Sequence, residues 1–418
     1  MAKIIHTALT HRPEPLMHSF GFKGGALTEL WQVFVTITTD EYGTAQGQSI
    51  QSVLWSDSAV FAHWGQQQGN EKMLATTAYA LSLLERMELD APPVMLEALL
   101  PRLVDYAAGI TENPSLRTTF VLNAMTGIDF CLWKLWRRKL GAPDFDTLFG
   151  MDIHQERLGL IPLLTYDTTE EEIRRLAEEG CFLFKIKIGS NPGGRNDPEE
   201  MLRWDCERLS QIHAILSGLD TPWTDCGHPL YYIDANGRYD TRERLERFLA
   251  HAQTIGAKER IVVLEEPFAE NNLQNVRGLG VPVAADESAH CAEDARRLMD
   301  EYGYSAMALK PIAKTLSVSL AVLAEAQKRN VPCFCADLTV NPTMVELNKR
   351  FAAGLPSLPG LKIGVFETNG AQNYTNWAML LNKSPARGMS WAEPEQSCYR
   401  LNGDYYRNDG NLWKEETI

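Results

Sequence analysis

Short apolar runs alternating with amphipathic segments dominate the second half of the chain. Eight such runs stand at 159–165, 182–188, 231–234, 261–265, 283–286, 306–310, 333–336 and 362–367. Segments with apolar residues at helical spacing lie between them at 169–179, 241–255, 292–302, 317–329 and 342–353. Continuous apolar runs mark strands buried on both faces, and strand–helix alternation means a parallel sheet. Eight strands spread over roughly 210 residues predict a closed barrel rather than an open sheet. The longest connection, 189–230, contains Asn191-Pro192-Gly193-Gly194 and Cys226-Gly227-His228-Pro229, and reads as a helix plus an inserted loop.

The first part of the chain is patterned differently. The stretch 30–39 is rich in β-branched and aromatic residues and predicts a strand, with Asp40-Glu41-Tyr42-Gly43 as the turn after it. Helical spacing follows at 73–88, 94–107 and 118–140, the last closed by Arg137-Arg138-Lys139 and Gly141. The tail is turn-rich and carries Trp391, Tyr399, Tyr405, Tyr406 and Trp413. The expected class is α/β: an α+β capping domain over 1–155, a (β/α)8 barrel of the TIM type over 156–385, and a C-terminal segment, 386–418, packing back on the capping domain.

Composition narrows the partners. A length of 418 residues accommodates a barrel of ~250 residues plus a second domain. The formal net charge of −14 argues against a nucleic-acid partner but leaves room for an anionic small molecule at a locally cationic site. Eight cysteines without zinc-ligand spacing read as reduced thiols. The N-terminus lacks the apolar core of a signal peptide, and no apolar stretch reaches the ~18 residues a membrane span needs. A soluble, cytoplasmic protein with no membrane partner is expected.

Barrel active sites lie at the C-terminal ends of the strands. Strand three ends Ile233-Asp234-Ala235-Asn236, strand four Leu264-Glu265-Glu266-Pro267 and strand five Ala285-Asp286-Glu287-Ser288. Three consecutive strands thus bring Asp234, Glu265 and Asp286 to one rim, where their mutual repulsion is relieved by a hard divalent cation. Oxygen-only ligation suggests Mg2+, with Mn2+ as the alternative, over zinc. Strand two carries Lys185-Ile186-Lys187, and residues two apart share a face, so both lysines point into the barrel opposite Phe184, Ile186 and Ile188. Two neighbouring ammonium groups favour loss of one proton, which suits a general base. Strand six ends Leu309-Lys310-Pro311, which sets Lys310 across the mouth from Lys187. A metal and a lysine on each face suit removal of a proton α to a substrate carboxylate through an ene-diolate.

These motifs resemble the enolase superfamily, closest to its muconate-lactonizing-enzyme and dipeptide-epimerase branch, over most of the chain. The Lys-x-Lys, Asp-x-Asn, Glu-Glu-Pro and Ala-Asp-Glu-Ser motifs and the strand-six lysine carry the likeness. So does Gly127-Ile128-Asp129-Phe130-Cys131-Leu132-Trp133-Lys134. The resemblance implies that Asp234, Glu265 and Asp286 are metal ligands, that Lys187 and Lys310 are the acid/base pair, that Lys185 modulates Lys187, and that Asn236 and Glu287 are site neighbours. It also implies an even-numbered homo-oligomer. Three departures stand out. Pro311-Ile312-Ala313-Lys314-Thr315 occupies the place where the branch usually has Gly-Gly after its second lysine. Strand seven ends at Asp337 with no histidine. Strand eight ends Glu367-Thr368-Asn369 instead of Asp-x-Asp.

The loop His18-Ser19-Phe20-Gly21-Phe22-Lys23-Gly24-Gly25 and the segment Ser52-Val53-Leu54-Trp55 are expected to close over the barrel. Lys23, Trp55, Asn236, Asp337 and Glu367 are the expected substrate contacts. The expected function is a Mg2+-dependent racemase or epimerase acting on a small-molecule carboxylate. An acid-sugar dehydratase or a cycloisomerase would share its first step. A metal-stabilised barrel that only binds a ligand is the non-catalytic alternative.

Overall fold

The computed structural model describes residues 2–22 and 25–414. Its N-terminal part is an antiparallel sheet of β1 (Ile4–Phe22), β2 (Gly25–Thr39) and β3 (Gly43–Gln51), in that order. Helices α1 (Val53–Ser56), α2 (Ser58–Leu84), α3 (Pro92–Thr111), α4 (Thr118–Leu140) and α5 (Phe145–Phe149) follow. The sequence pattern identified β2 but not its partners. β1 contains Pro13 and Pro15, which disqualify a central strand but are tolerated on this edge. The expected loop at 18–25 is largely strand: Phe20, Gly21 and Phe22 pair with Leu27, Ala26 and Gly25. Lys23 and Gly24 lie outside the described residues.

All eight barrel strands stand where the apolar runs placed them. The first is split into β4 (Arg157–Ile161) and β5 (Leu163–Leu164) by Pro162, which has no N–H to donate. β6 (Leu183–Lys187), β7 (Leu230–Asp234), β8 (Ile261–Glu265), β9 (Val283–Ala285), β10 (Ala306–Leu309), β11 (Cys333–Cys335) and β12 (Gly364–Glu367) follow in parallel. The ring closes through the split strand, since β4 pairs with β12 and β5 with β6. The connecting helices include α6 (Glu170–Glu178), α7 (Pro198–Leu216), α8 (Arg242–Thr254), α9 (Ala292–Arg297), α10 (Leu316–Lys328) and α11 (Pro342–Ala353).

Alternation along the strands divides the core in two. Phe184, Ile186, Ile188, Ile233 and Leu264 face the helices. Leu183, Tyr232, Val263, Ala284, Ala308 and Phe334 fill the barrel interior beneath the mouth. The tail packs on the barrel as well as on the N-terminal part. Its strand β13 (Cys398–Arg400) pairs antiparallel with β4 of the barrel, and Lys349 on α11 donates to the Trp391 carbonyl at 2.6 Å. The tail also packs on residues 1–155: Tyr406 stacks on His154 with ring centroids 4.1 Å apart, Asp409 Oδ2 accepts from Phe145 N at 3.0 Å, and Trp413 stacks on Phe130 at 6.2 Å. All eight cysteines are free, and no helix among the described residues is long and apolar enough to cross a membrane.

Candidate active site

Strand register levels the charged residues. Lys187 pairs with Asp234 across β6–β7, and Asp234 with Glu265 across β7–β8. Ala284 pairs with Glu265, so Asp286 lies just beyond the end of β9. The chain turns sharply after two of these ends. Asn236 and Glu266 adopt φ of 44° and 40°, left-handed values that non-glycine residues hold only where surrounding structure enforces them.

The ammonium groups are held by carboxylates rather than by each other. Lys185 Nζ is 2.9 Å from Asp234 Oδ2, 2.8 Å from Glu265 Oε2 and 3.0 Å from Glu367 Oε2. Lys187 Nζ donates to Asp234 Oδ2 and to Asn236 Oδ1, both at 2.6 Å. Lys310 Nζ donates to Asp286 Oδ2 at 2.5 Å. For Lys185 these carboxylates act against loss of a proton. Burial opposes the charge on Lys185, but Asp234, Glu265 and Glu367 outweigh it and hold the group well above the ordinary lysine value. Burial likewise opposes ionisation of Asp234 and Asp286, yet Lys185 and Lys187 in one case, and Lys310 and Lys314 in the other, pull both carboxyls below the usual range. Glu265 goes the other way, raised by burial and by the charges of Asp234 and Asp286.

Lys185, Lys187, Lys310, Asp234, Asp286 and Glu367 line one cavity between the N-terminal part and the barrel, with Glu265 set behind it. Leu27, Leu30 and Trp55 bring an apolar roof from the N-terminal part, and the Trp55 ring centroid is 4.7 Å from Lys310 Nζ. Thr165 and Tyr166 come from the end of the first barrel strand, and Leu338, Thr339 and Asn369 from the ends of the seventh and eighth. Of the expected substrate contacts, Trp55, Asn236, Asp337 and Glu367 all line the cavity, and Lys23 lies outside the described residues. Asp337 accepts from Asn369 N at 2.8 Å, and its own N–H donates to Glu367 Oε2 at 3.1 Å. Burial and the neighbouring Glu367 push the Asp337 carboxyl up to about 7. Glu287 is a neighbour too, with Asn236 Nδ2 3.5 Å from its Oε1. Leu338 and Thr339 directly follow a strand-end residue already singled out, so the strand-end rule extended by two positions would have found them. Nothing in the sequence pattern distinguished Leu27 and Leu30 from core residues.

As placed, Asp234, Glu265 and Asp286 each answer to an ammonium. Among the described residues no three acidic, imidazole or thiol side chains stand close enough to share one ion. The donor set nevertheless suits a hard divalent cation. It is oxygen-only, it comes from adjacent strand ends, and Glu265 Oε1 is buried without a hydrogen-bond partner, an expensive state that a cation would relieve.

Residues 168–363 match the family model described as Enolase C-terminal domain-like. An L-Ala-D/L-Glu epimerase from Thermotoga maritima is 25% identical over 195 residues, covering 46% of this chain and 50% of that protein. The chain spans about half the length of the curated relatives it matches. A mandelate racemase/muconate lactonizing protein from Herpetosiphon aurantiacus shares the fold, with a TM-score of 0.65 at 17% identity over 96% of both chains. So does an L-talarate dehydratase from Polaromonas sp. JS666, in a complex with Mg and L-glucarate, with a TM-score of 0.61 at 16% identity over 91% of this chain and 88% of that one. Residues 168–363 are thus similar to enolase C-terminal domain-like proteins, and the fold as a whole is similar to that of the mandelate racemase/muconate lactonizing protein.

Proposed function

We propose that this protein is a Mg2+-dependent enzyme that removes the proton α to the carboxylate of a small molecule, acting as a racemase or epimerase. The observation that carries the reading is the pair Lys187 and Lys310, on β6 and just past β10, four strands apart in an eight-strand ring and lining one cavity. A lysine on each face can take the proton from one side of a planar ene-diolate and return it from the other. Asp234, Glu265 and Asp286 would hold the cation, which when bound supplies Lewis-acid stabilisation of the substrate carboxylate. The oxygens of Asp234 and Asn236 orient Lys187, and Asp286 orients Lys310. Trp55, Leu27 and Leu30 cover the site and exclude water, which strengthens each of these charges. The residues 1–155 serve as the cap, 156–385 as the catalytic barrel, and the assembly is an even-numbered homo-oligomer.

The test is deuterium wash-in. The protein is incubated with Mg2+ in D2O against amino-acid derivatives, dipeptides and acid sugars. The expected result is deuterium at the α-carbon with inversion of configuration. Loss of water or ring closure instead of inversion would move the enzyme to the dehydratase or cycloisomerase reading. No exchange with any carboxylate, beside saturable ligand binding, would sink the catalytic reading altogether.

A further inference from the structure

The turn after β10 holds a buried charge that the proton chemistry does not use. Ala313 N and Lys314 N both donate to the Lys310 carbonyl, at 3.0 and 2.8 Å, and the tight turn carries Lys314 in beneath the rim. Its side chain is only 3% exposed and is not among those lining the cavity. Its Nζ donates to the Asp286 carbonyl at 2.6 Å and to the Ala289 carbonyl at 3.3 Å, and stands 3.1 Å from Asp286 Oδ1. Lys310 takes the other carboxylate oxygen, Oδ2, at 2.5 Å. One ammonium therefore grips both the main chain and the side chain of Asp286, while a second grips the opposite oxygen.

The backbone is distorted to allow this. Thr315, next in the chain, has φ 73° and ψ 152°, a conformation almost confined to glycine and costly for a β-branched residue. Its hydroxyl accepts from Val318 N at 3.2 Å and caps α10. This is the stretch where the sequence departs from the glycine pair of the resembling branch. Glycines would take the same backbone path without strain, but would place no side chain against Asp286. A buried ammonium is tolerated only with well-placed partners, and here the nearest anion is the carboxylate read above as a metal ligand.

We infer that Lys314 is a positioning residue for the divalent cation: it locks the Asp286 carboxylate in one orientation by tying that residue's carbonyl and carboxylate to a single ammonium. The inference rests on the reading of Asp286 as a metal ligand. Two physical effects of Lys314 oppose each other, and this makes the sign of the outcome informative. As a bare positive charge it repels a nearby cation, so its removal would tighten binding. As an orienting group it pre-forms the ligand, so its removal weakens binding.

The experiment is calorimetric titration of the full chain with Mg2+, with electron paramagnetic resonance of bound Mn2+ as a second readout. A wild-type protein that binds neither ion overturns the metal reading itself. Given wild-type binding, Lys314→Met is expected to lower Mg2+ affinity about 10–100-fold and to broaden the Mn2+ spectrum, with circular dichroism unchanged. Unchanged or tighter binding overturns the inference while leaving the metal reading intact. If Lys314→Met does not fold, Lys314→Gln serves in its place, since it keeps a donor for the carbonyls and removes the charge beside Oδ1. At least a tenfold loss is expected there, and wild-type affinity would again overturn the inference.

Discussion

At the barrel mouth, Lys185, Lys187, Lys310 and Lys314 share Asp234, Glu265, Asp286 and Glu367; where α11 meets the C-terminal tail, Lys349 and Arg350 each have acids of their own. Lys349 Nζ is 2.6 Å from Glu346 Oε1 and lies over the Tyr399 ring at 4.2 Å. Arg350 is fully buried between Asp146 at 2.6 Å and Asp409 at 3.2 Å, with Phe145 against its guanidinium. That second cluster ties α11 to Asp146 and to Asp409 of the tail, away from the cavity. In the mouth the charges are not paired off. Lys185 touches three carboxylates and Asp286 touches two ammonium groups. Buried charges paired away from a cavity hold elements together. Buried charges that share partners beside a cavity remain responsive to a cation or an anion entering it.

The largest expected effect separates the clusters by activity. Lys187→Met and Lys310→Met are each expected to cut α-proton exchange by about 10²–10⁴-fold, measured as deuterium wash-in per folded molecule. A variant of either lysine that exchanged at the wild-type rate would remove it from the chemistry. Next comes stability. Arg350→Met leaves Asp146 and Asp409 without their shared cation and is expected to cost about 3–5 kcal/mol in denaturant unfolding, with the exchange rate of the folded fraction unchanged. A changed rate constant there would break the distinction between the two clusters.

Metal dependence sharpens the comparison further. Mg2+ at about 100 times its dissociation constant is expected to stabilise the wild type by about 2.7 kcal/mol. Asp234→Asn should abolish that increment and Arg350→Met should retain it, and thermal melting with and without Mg2+ reads both. The last effect is a pH slope from the structural cluster. Burial pushes the Glu346 carboxyl up to about 7, outweighing Lys349, from an ordinary value of 4.5. The folded chain then binds this proton more tightly than the unfolded chain does. The contribution of Glu346 is fully present below pH 4.5 and is lost as pH rises through about 7, with a slope of at most about 1.4 kcal/mol per pH unit. Glu346→Gln is expected to flatten stability over that window without moving Mg2+ affinity. An unchanged slope would mean that the proton is held elsewhere.

What could be read in advance depended on how each element packs. Barrel strands are buried on both faces, so they show as unbroken apolar runs, and an acid or a lysine at the end of such a run stands out. Asp234, Glu265, Asp286, Lys187 and Lys310 were legible for that reason. β3 was not, because it packs by smallness rather than by hydrophobicity. A Cβ on its Gly47 would stand 1.9 Å from the Gly127 carbonyl oxygen of α4, and its Gln48, Ser49 and Gln51 are buried polar residues. The helix expected at 73–88 starts earlier, after a break at Gly65 (φ 71°) that separates it from a shorter helical stretch beginning at Ser58. Lys314 looked like one more polar residue after a strand, and only the turn at Lys310 reveals its partner.

The order of the barrel's strands, the face on which each lysine lies and the identity of the rim carboxylates follow from the sequence by itself, because they are set by periodicities of two and 3.6 and by the strand-end rule. The pairing of those charges was decided by the tertiary structure alone. Which carboxylate holds which ammonium depends on strand register, on ring closure through Pro162 and on the turn into α10. Each of these joins residues far apart in the chain at separations of about 3 Å, where electrostatic energies change steeply with small displacements.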